Sequence, residues 1–470
     1  MQTNNPKLIL TSLLILPLLI SQPKAYAAGI DCKHANSPSE NMICSSDELK
    51  QLDLKLAETY SKVAKASNNK SNLQTKQKQW LVQRDKCPTV TCISDSYYNR
   101  TTELANELRS LLAYKPDKTD LLALVELKHE VENHLQNDVE FPLESALQIF
   151  AVKDSMTNFS NTVDDAGSED GQHFPKKRPN DVSEDEWKAL LKSNIDGGGE
   201  NGTANYTLLD LDGDGKRDLI IDSYIGGTGL FNYISAVRRK GDIFSGKYVS
   251  ENNDDFYSST DDAGALYSLN GRGSNQSATW VKLQGRIYAA YRNSIYGLDH
   301  LFLLRPFYIN EKTPTLAVHY QYALSIPKKQ VSDDQNEKTH EFMLDMKTQA
   351  TLNKILKQVE YTKANGSGNK QTLCPTPANV SEDERDAYAS YGPGHYSYET
   401  LVDMAIWLDK TCYIGRLTDW FGGYDKKSGL YAQLWLKKPN SDKEETSYEV
   451  NGRRKAVKID SGIDKFYLGE

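Results

Sequence analysis

The sequence predicts a multidomain α+β protein, in which a small disulfide-bonded α-helical N-terminal domain precedes a larger β-rich α+β region. Two observations support this fold class. Four of the six cysteines fall between Cys32 and Cys92, among apolar residues at helical spacing. From Ala204 onward, runs of β-branched and aromatic residues alternate with turn dipeptides such as Gln284-Gly285. The 470 residues are too many for one ordinary domain.

Residues 1–27 are typical of a secretory signal peptide. Lys7 precedes an apolar run, Leu8 to Ile20, and the segment ends in Ala25-Tyr26-Ala27. The run has 13 residues, whereas a membrane span needs about 20. We therefore predict an exported protein, periplasmic or secreted and not membrane-spanning, that is cut after Ala27.

The even number of cysteines predicts disulfide bonds in an exported protein. The chain has no Cys-x-x-Cys pair, which argues against a redox or zinc site. Four cysteines allow three pairings, and sequence alone does not decide among them. We prefer the local pairs Cys32–Cys44 and Cys87–Cys92, which leaves Cys374–Cys412 as a third bridge in the C-terminal part.

Residues 28–113 are expected to form three helices. Ser45 and Glu48 read as a capping box before the first helix. The second runs from about residue 71 to residue 86, and the third carries Ile93, Tyr97 and further apolar residues. Three helices bury only a modest core, so the disulfides act as staples worth ~2–4 kcal/mol each.

This segment carries an ordered set of motif residues: Asp31-Cys32, Pro38-Ser39-Glu40, Ile43-Cys44, Leu52-Asp53, Tyr60, Gln79-Trp80-Leu81, Arg84-Asp85 followed by Cys87, then Cys92 and Tyr97. In cysteine spacing and in the order of these residues, it resembles the LprI-type lysozyme-inhibitor domain of exported bacterial proteins. The resemblance implies an exported bacterial envelope protein that protects peptidoglycan by binding lysozyme or another peptidoglycan hydrolase.

An inhibitor of this kind has to offer hydrogen-bond donors to the two carboxylates of a lysozyme cleft. The segment between Cys32 and Cys44 supplies Lys33, Ser37 and Ser39 as candidates, and a rigid loop loses less entropy on binding. Arg84 is a further candidate. The structural alternative for Arg84 is a salt bridge at a helix end, and for Trp80 it is a place in the core.

The remaining chain divides by composition. Residues 114–153 read as a helical connector, and residues 154–199 as a polar linker with a short helix. Residues 200–365 are expected to form a β-rich domain, and residues 366–470 a β-rich C-terminal part with the Cys374–Cys412 bridge.

An acidic loop interrupts the first predicted strands of this region. It places Asp210, Asp212, Asp214 and Asp218 at positions 1, 3, 5 and 9, with the Lys216 carbonyl at position 7. Calcium prefers six to eight hard oxygen ligands, and this spacing supplies them. The loop at residues 210–218 resembles integrin-type and FG-GAP-like calcium hairpins, which implies a structural Ca²⁺. The alternative is an acidic turn without an ion.

Several function classes are disfavoured. The net charge of −8 includes −13 on residues 116–470, so nucleic acid is not an expected partner. No His-Glu-x-x-His, Gly-x-Ser-x-Gly or phosphate-loop pattern occurs, and we predict no enzymatic activity.

Two alternative functions stay open. One is a periplasmic immunity protein against a secreted wall-degrading toxin. The other is a calcium-dependent glycan-binding module that uses C-terminal aromatic residues, namely Tyr391, Tyr396, Tyr398, Trp407, Tyr413, Trp420, Phe421, Tyr424 and Trp435. The structural alternative for these aromatics is sheet core.

Overall fold

The computed structural model describes residues 29–161, 174–193, 195, 204–227, 229–245, 265–273, 275–333, 339–359, 371–390, 399–440 and 446–468. The predicted signal peptide lies outside these residues, as does part of the predicted linker. The chain divides into two compact units between Leu111 and Leu112. None of the helices in the described ranges is both long and apolar enough to cross a membrane.

The first unit is helical. Its helices are α1 (Pro38–Ser45), α2 (Asp47–Ala66), α3 (Lys70–Arg84) and α4 (Val90–Leu112), preceded by a single 3-10 turn at Cys32–His34. The helices share one apolar core, formed by Ile43, Leu49, Leu56, Tyr60, Val63, Leu73, Ile93, Tyr97, Leu104 and Leu108. These side chains recur at helical spacing, so each helix buries one face.

Helix α1 adds a fourth helix to the three that the apolar pattern predicts. Ser37 caps it, because its hydroxyl accepts a hydrogen bond from the Glu40 amide while the Glu40 carboxylate accepts one from the Ser37 amide. Pro38 occupies the first helical position, where a missing amide costs nothing. The predicted loop between Cys32 and Cys44 is therefore half helix.

The capping box predicted at Ser45 and Glu48 is wrong. Ser45 is the last residue of α1. Ser46 caps α2 instead, and its hydroxyl accepts a hydrogen bond from the Leu49 amide.

The disulfides follow the predicted local pairing. Cys32–Cys44 ties the N-terminal turn to α1, and Cys87–Cys92 closes the connection between α3 and α4. The third bridge, Cys374–Cys412, is present as well. The predicted fold class, a disulfide-bonded helical domain followed by a β-rich region with antiparallel sheets, is confirmed.

The second unit is built on antiparallel sheets. Within the described residues, one sheet has the order β1-β2-β3-β4-β5 with β6 also paired to β4, and a second has the order β13-β14-β15-β16-β10-β9-β8-β7. The strands of the first are β1 (Thr157–Ser160), β2 (Ala204–Leu209), β3 (Asp218–Gly226), β4 (Phe231–Lys240), β5 (Ile243–Ser245) and β6 (Tyr267–Asn270). Those of the second are β7 (Gln276–Leu283), β8 (Arg286–Ile295), β9 (Leu298–Leu304), β10 (Lys312–Ser325), β13 (Glu399–Leu408), β14 (Thr411–Asp425), β15 (Gly429–Lys437) and β16 (Thr446–Lys465). A hairpin of β11 (Lys329–Asp333) and β12 (Thr339–Met343) stands beside them.

Helices cover these sheets. The helices are α5 (Lys118–His134), α6 (Pro142–Phe150), α7 (Glu184–Lys192), α8 (Met346–Leu356) and the single turn α9 (Glu382–Arg385). Helices α5 and α6 pack on strands β7–β10 through a shared apolar cluster that includes Leu127, Leu143 and Leu316. Helix α7 packs on the first sheet beside Tyr206 and Leu219.

The predicted domain limits differ from this arrangement. Strands from both sides of residue 365 form one sheet, because β10 pairs with β16 along Lys312–Ser325. The predicted connector at 114–153 contains α5 and α6, whose apolar faces belong to the core of the second unit. Sheet pairing between distant strands leaves no local signal in the chain, so composition placed a boundary inside the sheet.

Candidate functional site

A chain of hydrogen bonds runs through the interior of the first unit. Arg84 Nη1 donates to the Tyr97 hydroxyl at 3.2 Å, and that hydroxyl donates to Asp53 Oδ1 at 2.8 Å. On its other side, Arg84 Nη2 donates to Asp85 Oδ1 at 2.7 Å. The Ser39 hydroxyl donates to the same Asp85 oxygen at 2.9 Å. The network therefore joins α1, α2, α3 and α4.

The electrostatics of this network favour one protonation state. Burial, and then the Asp53 charge, raise the pKa of the Tyr97 hydroxyl, so Tyr97 stays a donor. Burial alone would lower the pKa of Arg84, but Tyr97 and Asp85 outweigh it and raise the pKa. Trp80 closes the apolar side, with its ring edge-on to Tyr97 at 5.2 Å and its Nε1 donating to the Ser96 carbonyl.

Two of the four predicted partner contacts are interior residues. Ser39 is 1% exposed and Arg84 is 3% exposed. Their polar atoms are engaged with Asp85 and Tyr97. The prediction that these side chains meet a partner directly is corrected: they position the N-terminal segment. Burial is a property of the packed helices and was not readable from the motif.

Asp53 and Tyr97 carry the network, although the sequence indicates them only as members of the LprI-type motif and, for Tyr97, of the apolar face of the third helix. The signal was present, because Asp53 lies on the buried stripe of α2 between Leu49 and Leu56. A carboxylate on an apolar stripe needs a partner. Asp53 finds two, since its Oδ2 also accepts a hydrogen bond from the Ile30 amide at 2.6 Å.

The N-terminal turn is the exposed part of this assembly. Lys33, His34 and Asn36 are all exposed. Local bonds fix the turn: the Lys33 amide donates to Asp31, His34 Nδ1 lies 2.7 Å from Asp31 Oδ2, and the Asn36 amide donates to Glu40. With the Cys32–Cys44 bridge, these contacts hold the Lys33 backbone in one conformation. The Ser37 hydroxyl is half-buried and engaged as the α1 cap.

The acidic loop connects β2 to β3 as a hairpin turn. One carboxylate oxygen from each of Asp210, Asp212 and Asp218 lies within 4.8 Å of the others. Asp210 shapes the turn by accepting from the amides of Gly213 and Gly215. Both glycines have positive φ, 80° and 86°, a backbone conformation that other residues rarely adopt.

The loop carboxylates have different surroundings. Asp218 is buried, and burial raises its pKa to about 7, although the amides of Arg239 and Leu211 that bind it act in the opposite direction. Asp212 lies 3.1 Å from Arg238 Nε. The exposed Asp214 accepts from the Lys216 amide and is not one of the three converging carboxylates. Hard oxygens on a tight turn are the donor set that suits Ca²⁺.

The C-terminal aromatics are divided between core and surface. Tyr413 and Tyr424 pack against the apolar cluster of β13–β16. Trp407 is exposed, and Trp435 donates from Nε1 to the Thr418 hydroxyl. Trp420 lies edge-on to Tyr431. Tyr391, Tyr396 and Tyr398 lie outside the described residues, and nothing is described of the Phe421 side chain.

Comparison with known proteins adds one finding. A search of the curated proteins and a search of the solved structures each return no significant match. The helical first unit does match a family, and the matched segment contains the Arg84 network and both local disulfides. Residues 32–108 of this chain match the family model of the lysozyme inhibitor LprI.

Proposed function

We propose that the first unit binds a lysozyme or another peptidoglycan hydrolase and blocks it, with no chemistry of its own. The family match over residues 32–108 carries this proposal. The geometry supports it, because the motif residues are used to build a rigid support and the exposed turn at Lys33 stands on that support. A preformed surface retains more of its interaction energy on binding than a mobile one.

The chemistry of the proposed target favours the exposed turn as the docking element. A lysozyme cleft presents two carboxylates, and an ammonium group placed between them forms charge-assisted hydrogen bonds. Lys33 is the candidate donor, since it is exposed and its backbone is fixed by Asp31 and by the Cys32–Cys44 bridge. Ser37 borders the same turn. Its hydroxyl caps α1, and this cap orients the turn for binding.

Wall-lysis assays with a panel of lysozymes test the proposal. The mature protein should slow lysis of purified peptidoglycan by at least one lysozyme. Lys33→Glu should weaken inhibition at least tenfold, because it brings like charges together. Lys70→Glu is the matched control, because Lys70 is also exposed. Lys70 is the first residue of α3, whereas Asp85, which accepts a hydrogen bond from Ser39, follows the last residue of that helix. Unchanged lysis across the panel would falsify the inhibitor proposal.

We propose that the protein acts in the cell envelope, periplasmic or secreted. The signal-like residues 1–27 and the disulfides support export. Mass spectrometry of the native protein should find a new N-terminus after Ala27. Affinity capture from the envelope fraction distinguishes a general inhibitor from an immunity protein, because capture of a single toxin would favour the immunity role.

We propose that the hairpin turn at residues 210–218 holds a structural Ca²⁺. Asp210, Asp212 and Asp218 would supply carboxylate oxygens, completed by Asp214 after a rotation and by the Lys216 carbonyl. Calcium would raise the melting temperature by mass action, since the unfolded chain does not preserve the turn. Arg238 competes with the ion for Asp212, because the two groups already form an ion pair.

Calorimetric titration with Ca²⁺ tests this site. Asp210→Asn should abolish binding, and Arg238→Gln should tighten it several-fold by removing the competing cation. Lys282→Gln, on β7, removes an equal charge elsewhere and serves as the control. Absence of heat and of any thermal shift in the wild type would refute the calcium proposal. Equal affinities of wild type and Arg238→Gln would refute the competition.

A further inference from the structure

Helix α5 of the second unit has two contrasting faces. Ala123, Leu124, Leu127 and Val131 are buried against the eight-stranded sheet. The opposite face points away from that sheet and carries Leu121, Leu122 and Val125, which are 42%, 44% and 63% exposed. Three large apolar side chains next to one another on a helix surface mark an interaction site more often than isolated ones do.

The charges on this face are arranged symmetrically about Val125. Lys118 precedes Val125 by seven residues, and Glu132 follows it by seven. Seven residues are close to two helical turns, so the three side chains project in the same direction. Lys118 and Glu132 are both exposed. The face therefore has, from end to end, a cation, an apolar centre and an anion, with Lys128 and the exposed His129 between the centre and the anion.

Such a face is complementary to itself in an antiparallel arrangement. If a second copy of α5 lies antiparallel across Val125, Lys118 of each chain comes opposite the partner's Glu132, and the two Val125 side chains meet in the middle. Leu121 and Leu122 flank this central contact, opposite His129 and Lys128 of the second copy. A parallel arrangement would place Lys118 beside Lys118 and Glu132 beside Glu132, which is repulsive. Two-fold symmetry requires one patch to match itself, and this patch does.

The neighbouring charges are compatible with this geometry. Lys128 Nζ lies 3.6 Å from Glu132 Oε1 on the same helix, and both side chains are partly exposed, so this ion pair is weak. The Glu132 carboxylate can therefore also accept Lys118 of the second copy. The acidic Asp117 and Asp120 at the start of α5 are engaged by Arg286. They are already paired and do not repel the partner's Glu132, which this arrangement places beside Lys118.

We propose that the protein forms a homodimer through this face, with the α5 helices of the two copies antiparallel and crossing at Val125. One pair of helices buries a small area by the standards of stable complexes, so we expect a dissociation constant in the micromolar range. This inference is independent of the hydrolase-binding role proposed for the first unit.

Sedimentation velocity of the mature protein, from low to high micromolar concentration, tests the proposal. The wild type should pass from monomer to dimer, and Val125→Glu should remain monomeric by weakening association at least tenfold. Val125 is exposed, so this change leaves the fold intact. Val457→Glu on β16, where the side chain is 54% exposed, is the matched control and should still dimerise.

Charge reversal tests the antiparallel geometry. Lys118→Glu alone and Glu132→Lys alone should each weaken the dimer, whereas the double variant should restore it, because both ion pairs re-form with reversed polarity. A wild type that stays monomeric throughout, or a dimer that survives Val125→Glu, overturns the interface. A double variant no stronger than the single ones overturns the antiparallel arrangement.

Discussion

Arg84 belongs to the LprI-type motif, but it is a structural residue and not a surface contact for a partner. Its guanidinium reaches Asp85 on one side and Tyr97 on the other, and only 3% of the residue is exposed. A buried cation is tolerated when its donors are engaged, and removing it leaves the partners unsatisfied. Arg84 therefore acts structurally, and any effect of its removal on the proposed hydrolase binding would pass through the support of the Lys33 turn.

Arg84→Met tests this role, because Met keeps an unbranched apolar side chain and removes the guanidinium. The Tyr97 hydroxyl would lose the hydrogen bond that Arg84 donates to it, and Asp85 would lose its main partner. We expect a loss of ~2 kcal/mol, below the usual cost of breaking a buried pair because Asp85 is partly exposed. Hydrogen exchange of the intact chain measures the change. The slowest amides of α3 and α4 should exchange about 30-fold faster, since ~1.4 kcal/mol corresponds to a factor of ten.

Lys86→Met is the control, because Lys86 is exposed and close in sequence to Arg84. Its exchange rates should match those of the wild type. Unchanged protection of α3 and α4 in Arg84→Met would contradict the structural role assigned to the guanidinium.

Helices and hairpins were predictable where the responsible residues are close in sequence. The disulfide Cys87–Cys92 joins residues only five positions apart. In the acidic loop of residues 210–218, the glycines and aspartates predict the turn. The start of α1 was also readable, from Ser37 and Glu40. It was missed because the segment between Cys32 and Cys44 was interpreted as a binding loop.

Contacts between segments that are distant in sequence could not be predicted from local patterns. The pairing of β10 with β16 joins residues more than a hundred positions apart, and no local pattern encodes its register. The same limit applies to the candidate site. Ser39 has the chemistry of a surface donor, and only the packing of α1 beside Asp85 makes it an interior residue.

The connection of the β2–β3 hairpin to α7 depends on a forked ion pair. Arg217 Nε and Nη2 each donate to a different oxygen of Glu186, both at 2.7 Å. Arg217 also donates to the Asp181 carbonyl. Burial would raise the pKa of Glu186, but Arg217 and Ser183 outweigh it and lower the pKa to about 2. The acidic hairpin is thereby fixed to the helix that covers the sheet.

Glu186→Gln should destabilise the second unit by ~1–3 kcal/mol at neutral pH, because the charge-assisted fork is lost. The folded-state pKa lies below the ordinary value of 4.5, so the stabilisation is complete above pH 4.5 and is lost as the pH falls toward about 2. The difference in melting temperature between wild type and variant should therefore shrink with acidification.

Calorimetry at neutral and acidic pH measures this difference. Glu184→Gln is the matched control on the same helix, since the Glu184–Lys188 pair is exposed on both sides and should contribute little at any pH. A gap between wild type and Glu186→Gln that stays constant down to pH 2 would refute the assigned coupling.

The whole chain has an uneven charge distribution. Residues 28–111 of the first unit carry a net charge of +2, whereas residues 112–470, the second unit, carry −12. The unit that matches the inhibitor family is therefore basic, and the acidic charge lies in the larger unit. Long-range fields act on the rate of encounter more than on the final affinity. A basic hydrolase would be attracted by the chain as a whole and not by the first unit alone.

Association rates with a basic lysozyme that the protein inhibits test whether the acidic second unit attracts the partner. At low salt, the full mature chain should associate up to ~10-fold faster than the fragment 28–113, which has its own core and two disulfides. At high salt, where charges are screened beyond a few ångströms, the two rates should converge. Dissociation rates should be similar, because the proposed contacts lie in the first unit. A fragment that associates as fast as the full chain at low salt would show that the acidic unit does not steer the partner.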